Sequence, residues 1–210
     1  MWLASESTLV WEGREGRCRL TWHPRLRPRP CPVIVFIARS LDGYIADRDG
    51  GLDWLPPPPA PPPDDIGFGA LMDEIDAVVM GRRTFETVLG FGGDWPYGKT
   101  VYVLSSSLRE APEALAGKVV FLRGSPAEVV AETVGRGHER LYVDGGATIQ
   151  GFLRADLVDE LRLTTVPVLL GGGAPLFGEL AVPMSWRHVG SSVHAGGLVQ
   201  DRYVRARSAS

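Results

Sequence analysis

Five short, unbroken apolar runs limit what this chain can fold into: Val33–Ala38, Ala77–Met80, Thr100–Leu104, Val119–Leu122 and Leu141–Val143. A strand with one wet face alternates apolar and polar residues. An unbroken run needs cover on both faces. Helical patterns lie between the runs. One starts near Ile66 and continues through Leu71, Met72 and Ile75, and another follows Thr84, a candidate cap. The clearest is Ser125-Pro126-Ala127-Glu128 before Val129, Val130 and Val134, with Gly135 at its end. Ser125 and Glu128 form a capping box, Pro126 suits the first helical position, and Gly135 suits a helix stop. Strand–helix alternation predicts a largely parallel sheet with helices on both faces, a three-layer α/β fold. The last third changes pattern. Leu161, Leu163 and Thr165 alternate with polar neighbours, and Trp186–His194 and Leu198–Arg205 flank Ala195-Gly196-Gly197. That predicts an antiparallel hairpin closing one edge of a mixed sheet of about eight strands.

Composition narrows the function. The chain is 44% hydrophobic and 22% charged, with a net charge of −3. Such a balance offers no basic surface for nucleic acid. No apolar run approaches the ~20 residues that span a membrane, and the start lacks a secretory pattern, so a cytoplasmic address is expected. The two cysteines, Cys18 and Cys31, fall in residues 1–32, where six arginines and Pro24, Pro28, Pro30 and Pro32 break any regular pattern. This stretch reads as an extension, either a tail or an arm for an acidic partner. The folded domain is expected at 33–205, with a tail at 206–210. No zinc-ligand spacing is present, and no metal is expected. Pro56 to Pro63 is a polyproline run, read as a stiff surface loop or as a ligand for a proline-reading domain. His138, His188 and His194 show no sequence partners and are expected at the surface.

Three loops follow apolar runs. Asp144-Gly145-Gly146-Ala147-Thr148 joins an acid and two glycines to a helical pattern. Glycines let a ligand approach the backbone, and a helix start offers free N–H groups to phosphate. The same sequence also makes an ordinary tight turn. Gly81-Arg82-Arg83-Thr84 places two guanidinium forks, which match phosphate oxygens, before a helix. Leu104-Ser105-Ser106-Ser107 supplies hydroxyls that either donate to phosphate or cap a turn. In a parallel sheet all three leave carboxyl ends of strands, where ligands bind. They are expected to converge on one dinucleotide, although the spacing is not Gly-x-Gly-x-x-Gly.

The chain resembles the reductase domain of riboflavin biosynthesis, within the dihydrofolate reductase-like superfamily, in a stand-alone form. The resemblance rests on Ser40-Leu41-Asp42-Gly43-Tyr44-Ile45-Ala46, Asp76 to Thr84, Val143 to Thr148, Asp159 to Thr164, and Pro167-Val168-Leu169-Leu170-Gly171-Gly172-Gly173 with Pro175-Leu176-Phe177. It implies an αβα sandwich that binds NADPH and reduces a pterin- or pyrimidine-like ring. It implies that Ala38 and Ile45 frame the nicotinamide and that Arg82, Ser105 and Ser107 lie near the adenosine 2′-phosphate. Arg83, Thr84, Gly145, Gly146, Ala147 and Thr148 would hold the pyrophosphate. Gly171-Gly172-Gly173 would be structural, and two copies would pair as a homodimer.

The proton source is less legible. The dihydrofolate reductase acid, five residues past a tryptophan resembling Trp54, falls on Pro59. Asp42, Asp53 and Asp144 are the catalytic candidates, with Asp64 as a further one. Asp42-Gly43 also reads as a turn, and Asp53 as a loop cap. The readings that remain are an NADPH-dependent reductase of a small heterocycle, a non-catalytic nucleotide-binding domain, and a divergent dihydrofolate reductase.

Overall fold

The computed structural model describes residues 31–56 and 66–207. The N-terminal extension up to residue 30 and nearly all of the polyproline run lie outside them. Chain order runs β1 (Val33–Ser40), β2 (Tyr44–Ala46), α1 (Phe68–Glu74), β3 (Ala77–Gly81), α2 (Arg82–Gly90), β4 (Thr100–Leu104), β5 (Val119–Leu122) and α3 (Pro126–Gly135). It continues with β6 (Leu141–Asp144), α4 (Gly146–Arg154), β7 (Glu160–Val166), β8 (Ala174–Pro175), β9 (Trp186–His194) and β10 (Leu198–Arg205). Eight strands form one sheet in the order β5-β4-β3-β6-β1-β7-β10-β9, and β2 pairs with β8 separately. Contacts from β5 through β7 are parallel, while β10 is antiparallel to both β7 and β9. The expected αβα sandwich with its C-terminal hairpin is the observed fold.

The unbroken apolar runs have the expected cause. On one face Val33, Val35, Val79, Leu141 and Val143 pack with Val129 of α3 and with Ile149 and Phe152 of α4. On the other Ile34, Val78, Met80, Val101 and Tyr142 pack with Leu71 of α1 and Phe85 of α2. Each strand residue is therefore buried whichever way it points.

Several boundaries move. Cys31 is buried at 2% exposure, and the Pro32 carbonyl accepts from Leu141 N–H, so the domain includes both residues. Burial pushes the Cys31 thiol up to about 11. At the other end Ala206 N–H donates to the Ser185 carbonyl and Arg207 pairs with Asp159, so 206 and 207 are not tail. Thr84 caps nothing: α2 begins at Arg82 after Gly81, placing Thr84 in its first turn. Gly135 is the last residue of α3. The turn beyond it uses Gly137, at φ 90°. The Ser125 capping box is present, with Pro126 first in the helix. The histidines are not partnerless: His138 bonds Tyr102 at 2.8 Å, and His188 and His194 bond Ser191 and Ser192. Among the described residues no helix is long and apolar enough to cross a membrane.

Candidate active site

Strand register brings the three loops to one rim. Gly81 pairs with Leu104, and Leu104 with Leu122, across adjacent parallel strands. Met80 pairs with Asp144. Arg82, Ser105 and Gly145 therefore leave the same edge of the sheet. The loops also interlock. A Cβ on Gly145 would lie 2.1 Å from Thr84 Oγ1, one on Gly81 2.9 Å from Thr148 Oγ1, and one on Gly146 2.7 Å from Ile45 Cδ1. Gly145, at φ 88°, is the position that requires glycine, and a side chain on Gly81 or Gly146 would have to displace Thr148 or Ile45.

The two helix starts at this rim are open. Gly81 and Gly145 precede α2 and α4, and neither start has a side-chain cap. The first N–H groups of a helix have no partner within it, so both ends present donors and a positive dipole end. By contrast, Ser125 and Glu128 close the start of α3, and Ser125 N–H donates to Glu128 at 2.7 Å. Arg82 and Arg83 are exposed. Arg82 donates to both Glu86 carboxylate oxygens, at 2.8 and 2.9 Å. Ser105 is buried, and its Oγ accepts from Ser107 and Leu108 N–H, so it caps the turn after β4. Ser106 and Ser107 stay exposed. Arg123, directly after Leu122, donates to the Ser106 carbonyl, adding a cation to this corner. The sequence held no signal for it, because only register puts the end of β5 beside the serine loop.

The acidic candidates separate. Asp42 is spent on structure: its carboxylate accepts from Ser40 Oγ at 2.6 Å, Gly171 N–H at 2.7 Å and Leu170 N–H at 3.2 Å. It thereby clamps the β1–β2 turn to the glycine loop. Gly172 and Gly173 are confined there too, since a Cβ would meet Arg48 Nε at 2.7 Å and the Ala46 carbonyl at 2.1 Å. The Ser40 hydroxyl, with the Gly171 and Leu170 amides, holds Asp42 below its ordinary 3.8. A lowered carboxyl contributes stability above the ordinary value and loses it as pH falls through the folded one. In an NMR titration the Leu170 and Gly171 amides should shift together below pH 3.8, and Asp42→Asn should remove the step. A step at or above 3.8 would contradict the clamp. Asp53 is exposed on the turn after β2, and no described hydrogen bond or ion pair ties it to the rim.

Asp144 is different. It ends β6 at the rim, and Gly145 N–H donates to its Oδ1 at 2.7 Å. Burial pushes its carboxyl up, while the Gly145 amide and the phenols of Tyr142 and Tyr97 draw it partly back. A carboxyl so placed can keep a proton nearer neutrality than one in water. Aromatic rings stand beside it: Phe36 against Phe68 at 6.1 Å and against Tyr142 at 6.5 Å, and Phe68 against Tyr97 at 6.3 Å, all edge to face. Tyr97 lies on the irregular segment before β4, where no sequence pattern marks it. Register extends the wall, since Ala38 pairs with Thr164 and Thr164 with Gln200. Gln200 Nε2 donates to the Ile66 carbonyl at 3.0 Å and Thr164 Oγ1 at 3.1 Å, pinning the start of α1 over these strands. Among the described residues the buried Trp54 Nε1 has no hydrogen-bond partner. Ile45 packs on Gly146, and Ala147 is exposed at the first turn of α4. Among the described residues no cluster of three or more His, Cys, Asp or Glu is placed to hold a metal ion.

Comparison with known proteins identifies the family and the fold. Residues 32–199 match the RibD C-terminal domain. YwjB, an uncharacterized protein of Bacillus subtilis (strain 168), is 34% identical over 83% of this chain and 98% of its own length. The crystal structure of a protein assigned to riboflavin biosynthesis in Shewanella sp. PV-4 is 49% identical, with TM-score 0.79 over 84% of this chain and 99% of that one. Dihydrofolate reductase from Enterococcus faecalis, complexed with NADP(H) and RAB-propyl, shares the fold at TM-score 0.58 and 22% identity, covering 84% and 97% of the two chains. The chain belongs to the RibD C-terminal domain family of reductase-like proteins, built on the dihydrofolate reductase-like αβα fold.

Proposed function

We propose that this protein is an NADPH-dependent reductase of a small pterin- or pyrimidine-like heterocycle, with Asp144 as its proton source. The observation that carries this reading is the pair of uncapped helix starts interlocked at one rim through Gly145–Thr84 and Gly81–Thr148. The narrow glycine cradle fits a pyrophosphate, which needs close backbone approach and free N–H donors. Arg83, Thr84 and Gly145 to Thr148 would hold it. Arg82, Ser106, Ser107 and Arg123 would face an adenosine 2′-phosphate. Ala38 and Ile45 would border the nicotinamide, which when bound supplies the hydride. The chain's own part is to orient the ring against the Phe36–Phe68 wall, exclude water there and deliver a proton from Asp144. Exposed Leu169, Phe177, Leu180 and Val182 support pairing of two copies.

Cofactor selectivity tests the reading. The Arg82–Glu86 pair is exposed on both sides, at 43% and 45%, and such pairs contribute only ~0.3–0.5 kcal/mol. A charge-assisted hydrogen bond contributes ~1.5–3 kcal/mol. Arg82→Ala should therefore leave the melting temperature nearly unchanged and weaken NADPH at least about tenfold, with NADH changed less than about twofold. Fluorescence titration measures both. Equal losses for the two dinucleotides would contradict the 2′-phosphate role, and no saturable binding of either by the unmodified protein would contradict the proposal as a whole.

A further inference from the structure

We propose that Tyr97 and Tyr142 are positioning residues for Asp144, whose hydroxyls hold its carboxylate in place after it has given up a proton. The inference rests on the reductase reading and deepens it. Tyr142 and Asp144 are two apart on β6 and so share one face of the sheet. Tyr97 reaches the same face from the segment before β4, buried at 7% exposure and braced by Trp95 at 5.2 Å and Phe68 at 6.3 Å. Tyr97, Tyr142, Phe36, Phe68 and Met80 pack in one cluster on that face, Met80 is the strand partner of Asp144, and both phenols act on its carboxyl.

Tyr142 has two acceptors and one proton. Its hydroxyl donates to the Phe36 carbonyl at 3.0 Å, and Asp144, two residues on along the same strand face, is the second acceptor. A protonated Asp144 needs few donors, and the Tyr142 hydroxyl then rests on Phe36. An ionised Asp144 competes for it, because hydrogen bonds to a charged acceptor are the stronger ones. The substrate's unsaturated carbon takes the hydride, its heteroatom takes the Asp144 proton, and the O–H bond of Asp144 breaks to leave a carboxylate. That carboxylate then has three donors: Gly145 N–H, Tyr97 O–H and Tyr142 O–H. Water returns the proton once product leaves. Around the carboxyl β3 presents Met80, β1 Phe36 and α1 Phe68, and among the described residues no charged side chain acts on it. The two phenols are therefore the side chains that set its titration.

The test begins without cofactor. Carbon-13 NMR of labelled aspartate carboxyls in the full chain follows Asp144, assigned by its loss in Asp144→Asn. Tyr97→Phe keeps the ring and removes one donor to the ionised form, so Asp144 should titrate roughly one pH unit or more higher. Tyr142→Phe should shift it the same way by less, because that hydroxyl is shared with Phe36. With substrate and NADPH, the alkaline limb of the kcat profile should move upward in pH by a matching amount while NADPH affinity stays constant. Unchanged or lowered titration in both variants overturns the proposal, as does a kcat profile that ignores a shifted titration. A protein that fails to bind NADPH while both titrations shift would remove the reductase reading and leave the phenol–carboxyl coupling standing.

Discussion

Gly145→Ala should be among the most damaging single-methyl additions in this protein. Gly145 has φ 88° and ψ 134°, a region that side chains disfavour by ~1–3 kcal/mol. The new Cβ would also lie 2.1 Å from Thr84 Oγ1 and 3.2 Å from Thr84 Cβ, and such overpacking costs a further ~1–3 kcal/mol. The sum, about 2–6 kcal/mol, lowers the melting temperature by roughly 5–25 °C in a domain of this size. The double variant Gly145→Ala with Thr84→Ala removes the clashing oxygen. It should recover most of the overpacking share and leave the backbone share, giving a clear coupling in a double-mutant cycle. Additive losses would mean that the α2 and β6–α4 segments do not interlock at this point.

Asp144→Asn should separate binding from chemistry. The amide is nearly isosteric but cannot deliver a proton, and a positioned general acid contributes ~10²–10⁴-fold. Turnover should fall by that order, with NADPH affinity within about twofold of the parent. Stability should respond in the other direction. Burial raises the Asp144 carboxyl in the fold, so its contribution is full below the ordinary value of 3.8 and is lost as pH rises through the folded value. The asparagine variant should lack that decline and match or exceed the parent in melting temperature at neutral pH. Wild-type turnover in this variant would exclude Asp144 as the proton source.

How much of the site the chain announces depends on the range of the interaction. The Ser125 capping box was legible because both partners lie within one helical turn. The β9–β10 hairpin was legible because its turn is three residues long. Thr84 was misread for a related reason: a helix start is set by where the strand ends, and β3 runs straight into α2 at Gly81 and Arg82. Asp42 reads as a catalytic candidate because its motif, Ser40 to Ala46, resembles that of the riboflavin-pathway reductases. Its partners Leu170 and Gly171 lie far along the chain, so only the fold reveals that its lone pairs are occupied. Tyr97, Arg123 and Gln200 carry no local pattern.

By itself, the sequence determined the layers: unbroken apolar runs demand cover on both faces, and alternating helices supply it. It also determined which loops leave the carboxyl ends of parallel strands, because a right-handed strand–helix–strand unit leaves little choice. The tertiary structure alone decided which acid remained available at the rim and which had become a clamp. It also decided which helix starts stayed open. Those outcomes depend on contacts between residues distant in the chain, and a single sequence specifies such contacts only through the packed fold.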